Sequence, residues 1–252
     1  MIPVGDDLPT LRTAWMNYLI LAIMWAVWLL VERGGANPVE LAARVCNLGM
    51  VPGELTRLAP LGTAVPVAPG MLCVVDNYAI NALTPLTSMF LHGGWMHIIG
   101  NSLFLWVFGN NVEDSMGPGR YLAFYLICGL AAAGAHVLSA PASPIPTVGA
   151  SGAISGVMGA YLLLYPLARV RMLFIFFVVP LPAWLVLLWW FAVQVLAGLP
   201  ELSDVNAASN GGVAVWAHVG GFVTGVLLIK LFANDELVQR HKRVFGARRA
   251  IG

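Results

Sequence analysis

The 252-residue chain is poor in charge: Asp, Glu, Lys and Arg make up 10% of it, against 59% hydrophobic residues. A soluble domain carries roughly a quarter charged residues. The few charges are also clustered. None occurs between Phe90 and Val112, between Tyr121 and Ala168, between Met172 and Pro200, or between Val205 and Ile229. A soluble protein with a large core needs charged outer faces on its helices, so these windows exclude that class. Each is long enough for the about 20 apolar residues that cross a bilayer as a helix.

Other absences narrow the chemistry. The central apolar windows hold no Asp or Glu. That excludes a paired-aspartate intramembrane protease and leaves no third member for a Ser-His-Asp triad. There is no H-E-x-x-H, the zinc signature of a metalloprotease. The three cysteines, Cys46, Cys73 and Cys128, have no metal-ligand spacing, so neither metal nor cofactor is expected. Cys46 and Cys73 pair if their loop faces an oxidising compartment, and otherwise stay free thiols. No internal repeat suggests the duplicated halves of a transporter. The first apolar run, Trp15 to Val31, is too long for a signal-peptide core and lacks a small-residue cleavage site. It reads as a membrane span.

What is present predicts an all-α membrane protein: a bundle of six transmembrane helices over about 14–32, 87–109, 120–139, 150–167, 172–198 and 213–232. The fifth is expected to bend or break near Pro180 and Pro182. Residues 1–13 form a short N-terminus, 14–232 the membrane domain and 233–252 a basic tail. The long first loop, 33–86, is proline-rich yet apolar enough to lie partly in the membrane interface. Ten Lys and Arg fall on the side of the termini and three, Arg33, Arg44 and Arg57, on the other. The positive-inside rule then places both termini in the cytoplasm, as in a multi-pass protein of the cell membrane. Topology accounts for the basic tail, and no nucleic-acid partner is expected.

Polar side chains inside spans are costly and mark function by default. Here they are His92, His97, Asn101 and Ser102, then His136, then Ser151 and Ser155, then Gln194, and finally His218 and Thr224. Ser151 sits in Gly149-Ala150-Ser151-Gly152 at the start of the fourth helix, where unpaired amides favour developing negative charge. His218 lies near the start of the sixth. If Gly221 and Gly225 pack on Gly152 and Gly156, as small-residue pairs do in membranes, His218 reaches Ser151 and supplies the base a hydroxyl nucleophile needs. His97 and Asn101, four apart on one helix face, become candidate oxyanion donors with the Ser151 amide. His136 is expected to be dispensable. For Ser151 to meet the others, segment 140–149 must dip below the membrane surface, which opens the site to the non-cytoplasmic side. The fifth helix, with Trp184, Trp189, Trp190 and Phe191, is a candidate lateral gate.

These residues resemble the rhomboid protease family. The similar stretches are His92-Gly-Gly-Trp-Met-His97-Ile-Ile-Gly-Asn101, Gly109-Asn-Asn-Val-Glu113 through Gly117 and Arg120, Gly149-Ala-Ser151-Gly152, and Ala217-His218-Val-Gly-Gly221 with Gly225. They occur in family order over about residues 87–226. The resemblance implies a six-helix core, Ser151 as nucleophile, His218 as general base, and oxyanion stabilisation by His97 and Asn101. It also implies single-span membrane proteins as substrates, and a folding role for Glu113 and Arg120. Two departures stand out. Leu83 and Thr84 replace a Trp-Arg pair of the first loop. Ser155 stands where many members stack a tyrosine on the histidine, a support that Tyr161 or an aromatic on another helix would have to supply. The rival readings are an inactive relative that binds membrane clients, and a channel or transporter using His97, His136 and His218.

Overall fold

The structure is a computed structural model that describes residues 2–203 and 214–251. Its helices are α1 (Trp15–Val31, closing in a π turn from Val27), α2 (Pro38–Leu48), α3 (Pro52–Thr56), α4 (Thr84–Thr87), α5 (Trp95–Met116), α6 (Pro118–Ser139), α7 (Ser151–Leu164), α8 (Ala183–Ser203), α9 (Val215–Phe232) and α10 (Asp235–Ile251). Its strands are β1 (Ile2–Asp6), β2 (Ala64–Ala68), β3 (Met71–Val74), β4 (Arg169–Phe174) and β5 (Phe177–Pro182). Among the described residues, three helices are long and apolar enough to cross a membrane: α6, α8 from Ala183 to Pro200, and α9. The 14 residues of α7 span only about 21 Å at ~1.5 Å per residue.

The all-α expectation needs correction, because the described residues, though mostly helical, also form two small sheets. One is a hairpin of β2 and β3; in the other the order is β1-β4-β5, all antiparallel. The fifth helix is corrected with it. Pro180 and Pro182 do not bend a helix; they lie on β5 opposite Arg171 and Arg169. Proline has no N–H to give a helix interior, but it is tolerated on an edge strand such as β5. The helix starts only at Ala183. The second helix is also displaced, to 95–116. Extended backbone at Gly94 (φ 163°, ψ 171°) delays its start.

Its far end continues into polar sequence because distant partners satisfy Glu113 and Asp114. Glu113 accepts the amides of Met16 (3.2 Å) and Asn17 (2.7 Å). A carboxylate there neutralises the exposed N–H groups and the positive dipole end of α1. Asp114 pairs with Arg12 at 3.0 Å and accepts the Leu11 amide at 2.7 Å. The same end of the molecule carries the β1-β4-β5 sheet and α10, whose buried His241 donates to Asn111 Oδ1 (3.2 Å). Arg120 reaches the Phe232 carbonyl at 3.5 Å.

Asp6 is the centre of this end. Its Oδ2 accepts from the Tyr161 hydroxyl (2.6 Å) and from Asn111 Nδ2 (2.9 Å), and its Oδ1 from the Leu8 amide (3.2 Å). Burial pushes its carboxyl up to about 6, with the bonds from Tyr161 and Leu8 opposing the shift. The folded state therefore holds a proton that the unfolded chain has released between pH about 4 and 6. Asp6 makes stability fall as pH rises through that window and leaves it at the lower level above. The span of two units corresponds to roughly 3 kcal/mol. Asp6→Asn is expected to remove this component, read as a flatter melting temperature from pH 4 to 7. An unchanged slope would exclude Asp6 as its source.

At the opposite end, the long loop folds over the segment that leads into α7. Cys46 and Cys73 form a disulfide that ties α2 to β3. Met50 and Thr147 exchange both backbone hydrogen bonds (2.9 and 2.8 Å), the Gly53 amide donates to Ser143 (2.9 Å), and Gly149 donates to Ser88 (2.9 Å). Segment 140–149 is thus held in place through its backbone.

Candidate active site

The core contact that assembles the site is between α7 and α9, with α6 behind it. A Cβ on Gly221 or Gly225 would collide with the carbonyl oxygens of Gly152 and Gly156, respectively. Behind α7, a Cβ on Gly156 would lie 2.6 Å from Cys128 Sγ of α6. Only glycines allow backbones this close. The expected glycine packing is therefore present, and it puts the first turns of α7 and α9 side by side. Ser151 Oγ lies 2.7 Å from His218 Nε2.

The second ring nitrogen bears on where the proton sits. His218 Nδ1 lies 2.8 Å from Gln194 Oε1 on α8. An amide oxygen only accepts, so Nδ1 carries the hydrogen and Nε2 presents its lone pair to the Ser151 hydroxyl. A hydroxyl bonded to an imidazole lone pair is the arrangement in which a base can take the proton as the oxygen attacks.

The α5 residues flank this pair. His97 Nδ1 accepts the Gly93 amide (3.3 Å), which leaves the hydrogen on Nε2. Gly149 separates that nitrogen from Ser151. Its φ is +128°, and a Cβ there would stand 2.6 Å from His97 Nε2 and 3.6 Å from Ser151 Oγ. Asn101 is buried, and its Nδ2 has no partner among the described residues. His97 and Asn101 therefore border the same cavity of about 480 Å³ as Ser151 and His218, with Phe104, Met158 and Trp190 on its apolar wall.

All four residues singled out from the sequence line this one cavity, and His136 joins them, bonded to Thr147 Oγ1 at 3.0 Å. Ser155 also lines the cavity, its hydroxyl donating to the Ser151 carbonyl (2.6 Å). The Tyr161 ring packs edge-on against Phe108 and Tyr165 instead, with its hydroxyl donating to Asp6. The aromatic neighbour is Trp190 of α8, its ring centroid 5.8 Å from that of His218. Sequence reasoning noted Gln194 as polar but gave it no partner. Its signal was that it is the one amide in an otherwise apolar stretch from Ala183 to Gly198. The clamp of Met50 and Ser88 on segment 140–149 runs through backbone atoms and leaves no trace in residue types.

The chain resembles known proteins. It is 30% identical over 179 residues to Rhomboid protein 1, mitochondrial, of Saccharomyces cerevisiae, covering 69% of this chain and 48% of that protein. It is 44% identical over 77 residues to Rhomboid protease GluP of Bacillus subtilis, covering 31% of this chain and 15% of that protein. With Rhomboid-like protease 5 of Toxoplasma gondii it shares 34% identity over 144 residues, covering 55% of this chain and 15% of that protein. The chain thus spans less than half the length of each of these relatives. The Rhomboid domain family model matches residues 81–235, which hold Ser151, His218, His97 and Asn101 and more than half of the chain. The chain belongs to the rhomboid family.

Proposed function

We propose that this protein is an intramembrane serine endopeptidase that cuts single-span membrane proteins in or near their spans with a Ser151–His218 dyad. The observation that carries the reading is the 2.7 Å contact between Ser151 Oγ and Nε2 of His218, placed in a cavity bordered by His97 and Asn101. Ser151 Oγ attacks the scissile carbonyl while His218 Nε2 takes its proton. The tetrahedral oxyanion receives bonds from His97 Nε2–H, Asn101 Nδ2–H and the Ser151 amide. His218 then gives its proton to the departing amine, leaving an acyl-Ser151, and a water activated by the same nitrogen releases the second product. The dyad needs no metal and no cofactor.

The six spans of this reading are α1, α5, α6, α7, α8 and α9. The excess of Lys and Arg at the end bearing the termini supports a cytoplasmic location for them. The Cys46–Cys73 disulfide in the loop at the other end supports an oxidising, non-cytoplasmic side there. The shortness of α7 supports a site sunk below the membrane surface and wetted from that side. These features favour the cell membrane.

The test is covalent labelling. A fluorophosphonate should phosphonylate the detergent-solubilised protein, with the adduct found by mass spectrometry on the peptide that contains Ser151. The same preparation should cut a single-span reporter in liposomes. A folded protein that neither labels nor cuts would sink the protease reading and leave a client-binding relative. Asn101→Ala should lower kcat by about 10- to 1000-fold with little change in KM, because an oxyanion donor acts chiefly in the transition state. A loss confined to KM would show that Asn101 binds substrate instead.

A further inference from the structure

We propose that Gln194 is the positioning residue of His218, its side-chain oxygen holding the imidazole in the one tautomer that can accept the Ser151 proton. The inference rests on the protease reading and adds a member that acts through the base rather than on the substrate.

A neutral imidazole has one N–H. If it sits on Nε2, the ring faces Ser151 with a donor and has no lone pair to take the hydroxyl proton. The reaction needs the hydrogen on Nδ1, and an N–H away from water is costly unless it finds an acceptor. Gln194 Oε1 is there at 2.8 Å, on the side of the ring away from Ser151. When Nε2 gains the proton, the Nδ1–H bond to Gln194 persists, so the ring need not reorient between steps.

Among the described residues, Gln194 Oε1 is the acceptor that meets Nδ1. The other titratable groups whose charge bears on His218 are His97 of α5 and His136 of α6. Neither is a carboxylate, and their recorded side-chain bonds run to Gly93 and to Thr147 rather than to His218. Trp190 lies four residues before Gln194, hence on the same face of α8, and packs its ring against the imidazole at a 40° tilt. Both supports of His218 thus come from α8, only 17% of whose apolar window is buried, against 33% for α6 and 39% for α9. Displacing α8 would free the base to turn, so chemistry requires α8 in place.

The experiment compares Gln194→Met, which fills the same space without an acceptor, with Gln194→Glu, which keeps an acceptor oxygen at the same reach. In the Met variant kcat for a single-span reporter should fall about tenfold or more. The rate of fluorophosphonate labelling should fall with it, while KM stays within about twofold. The Glu variant should recover most of that loss. A Met variant with wild-type kcat, or a Glu variant as slow as Met, overturns the assignment. Should the Met variant fail to fold, the wild-type protein decides: ¹⁵N spectra, with His218 identified by difference from His218→Ala, should show Nδ1 protonated and Nε2 bare. The reverse tautomer overturns the assignment. A wild-type protein that neither labels nor cuts removes the protease reading, while the ¹⁵N result still tests the Gln194 contact separately.

Discussion

Ser151→Ala is expected to reduce cleavage of a single-span reporter by at least about 10⁴-fold and to abolish fluorophosphonate labelling, while the protein stays folded. The size of the loss follows from the chemistry. Without Oγ there is no acyl intermediate, and only oxyanion donors and binding remain to help water attack. The fold is spared because the hydroxyl caps nothing. Ser151 is the first residue of α7, and among the described residues its side chain bonds only to His218. Alanine fills the same space, and the freed Nε2 borders a cavity open to water. His218→Ala should cost about as much, since serine without a base is a poor nucleophile. The two losses should not add. A double variant no slower than either single one is the signature of groups that act as a unit, measured as initial cleavage rates in one liposome preparation. Residual Ser151→Ala cleavage at more than about a hundredth of the wild-type rate would mean that the nucleophile is elsewhere.

How far the sequence alone reached depended on the distance between partners. The α7–α9 contact was legible because its cause is local: glycines four apart on two helices can only mean close backbones or waste. His97 and Asn101 were legible for the same reason, since spacing on one helix fixes a shared face. Residues 169–182 were misread because their partner is far away. An apolar stretch with two prolines resembles a broken helix until β1, more than 160 residues earlier, offers β4 a ladder. The full length of α5 was hidden likewise. Glu113 and Asp114 look like a helix end, and continue the helix only because Arg12 and the first amides of α1 receive them. Gln194 falls between the two cases. Its polarity in an apolar span flagged it, but only three-dimensional packing brings it to His218.

The glycine contact provides the second large effect, one in which packing and chemistry separate cleanly. Gly225→Val is expected to lower stability by about 3 kcal/mol or more and the melting temperature by roughly 6–12 °C. A Cβ at Gly225 would fall well inside 3.0 Å of the Gly156 carbonyl oxygen. Both colliding groups belong to backbones, so no flexible side chain can give way, and α7 and α9 must move apart. Gly225 lies about two turns beyond His218, too far to touch substrate. The separation nevertheless carries His218 away from Ser151, and a displacement near 1 Å costs about 100-fold in rate. Gly134→Val on α6 is the control: this glycine is exposed, and a Cβ there meets nothing within 4 Å. It should leave both melting temperature and rate near wild type. If Gly225→Val melts and cuts like Gly134→Val, the close contact of α7 and α9 is not what brings the dyad together.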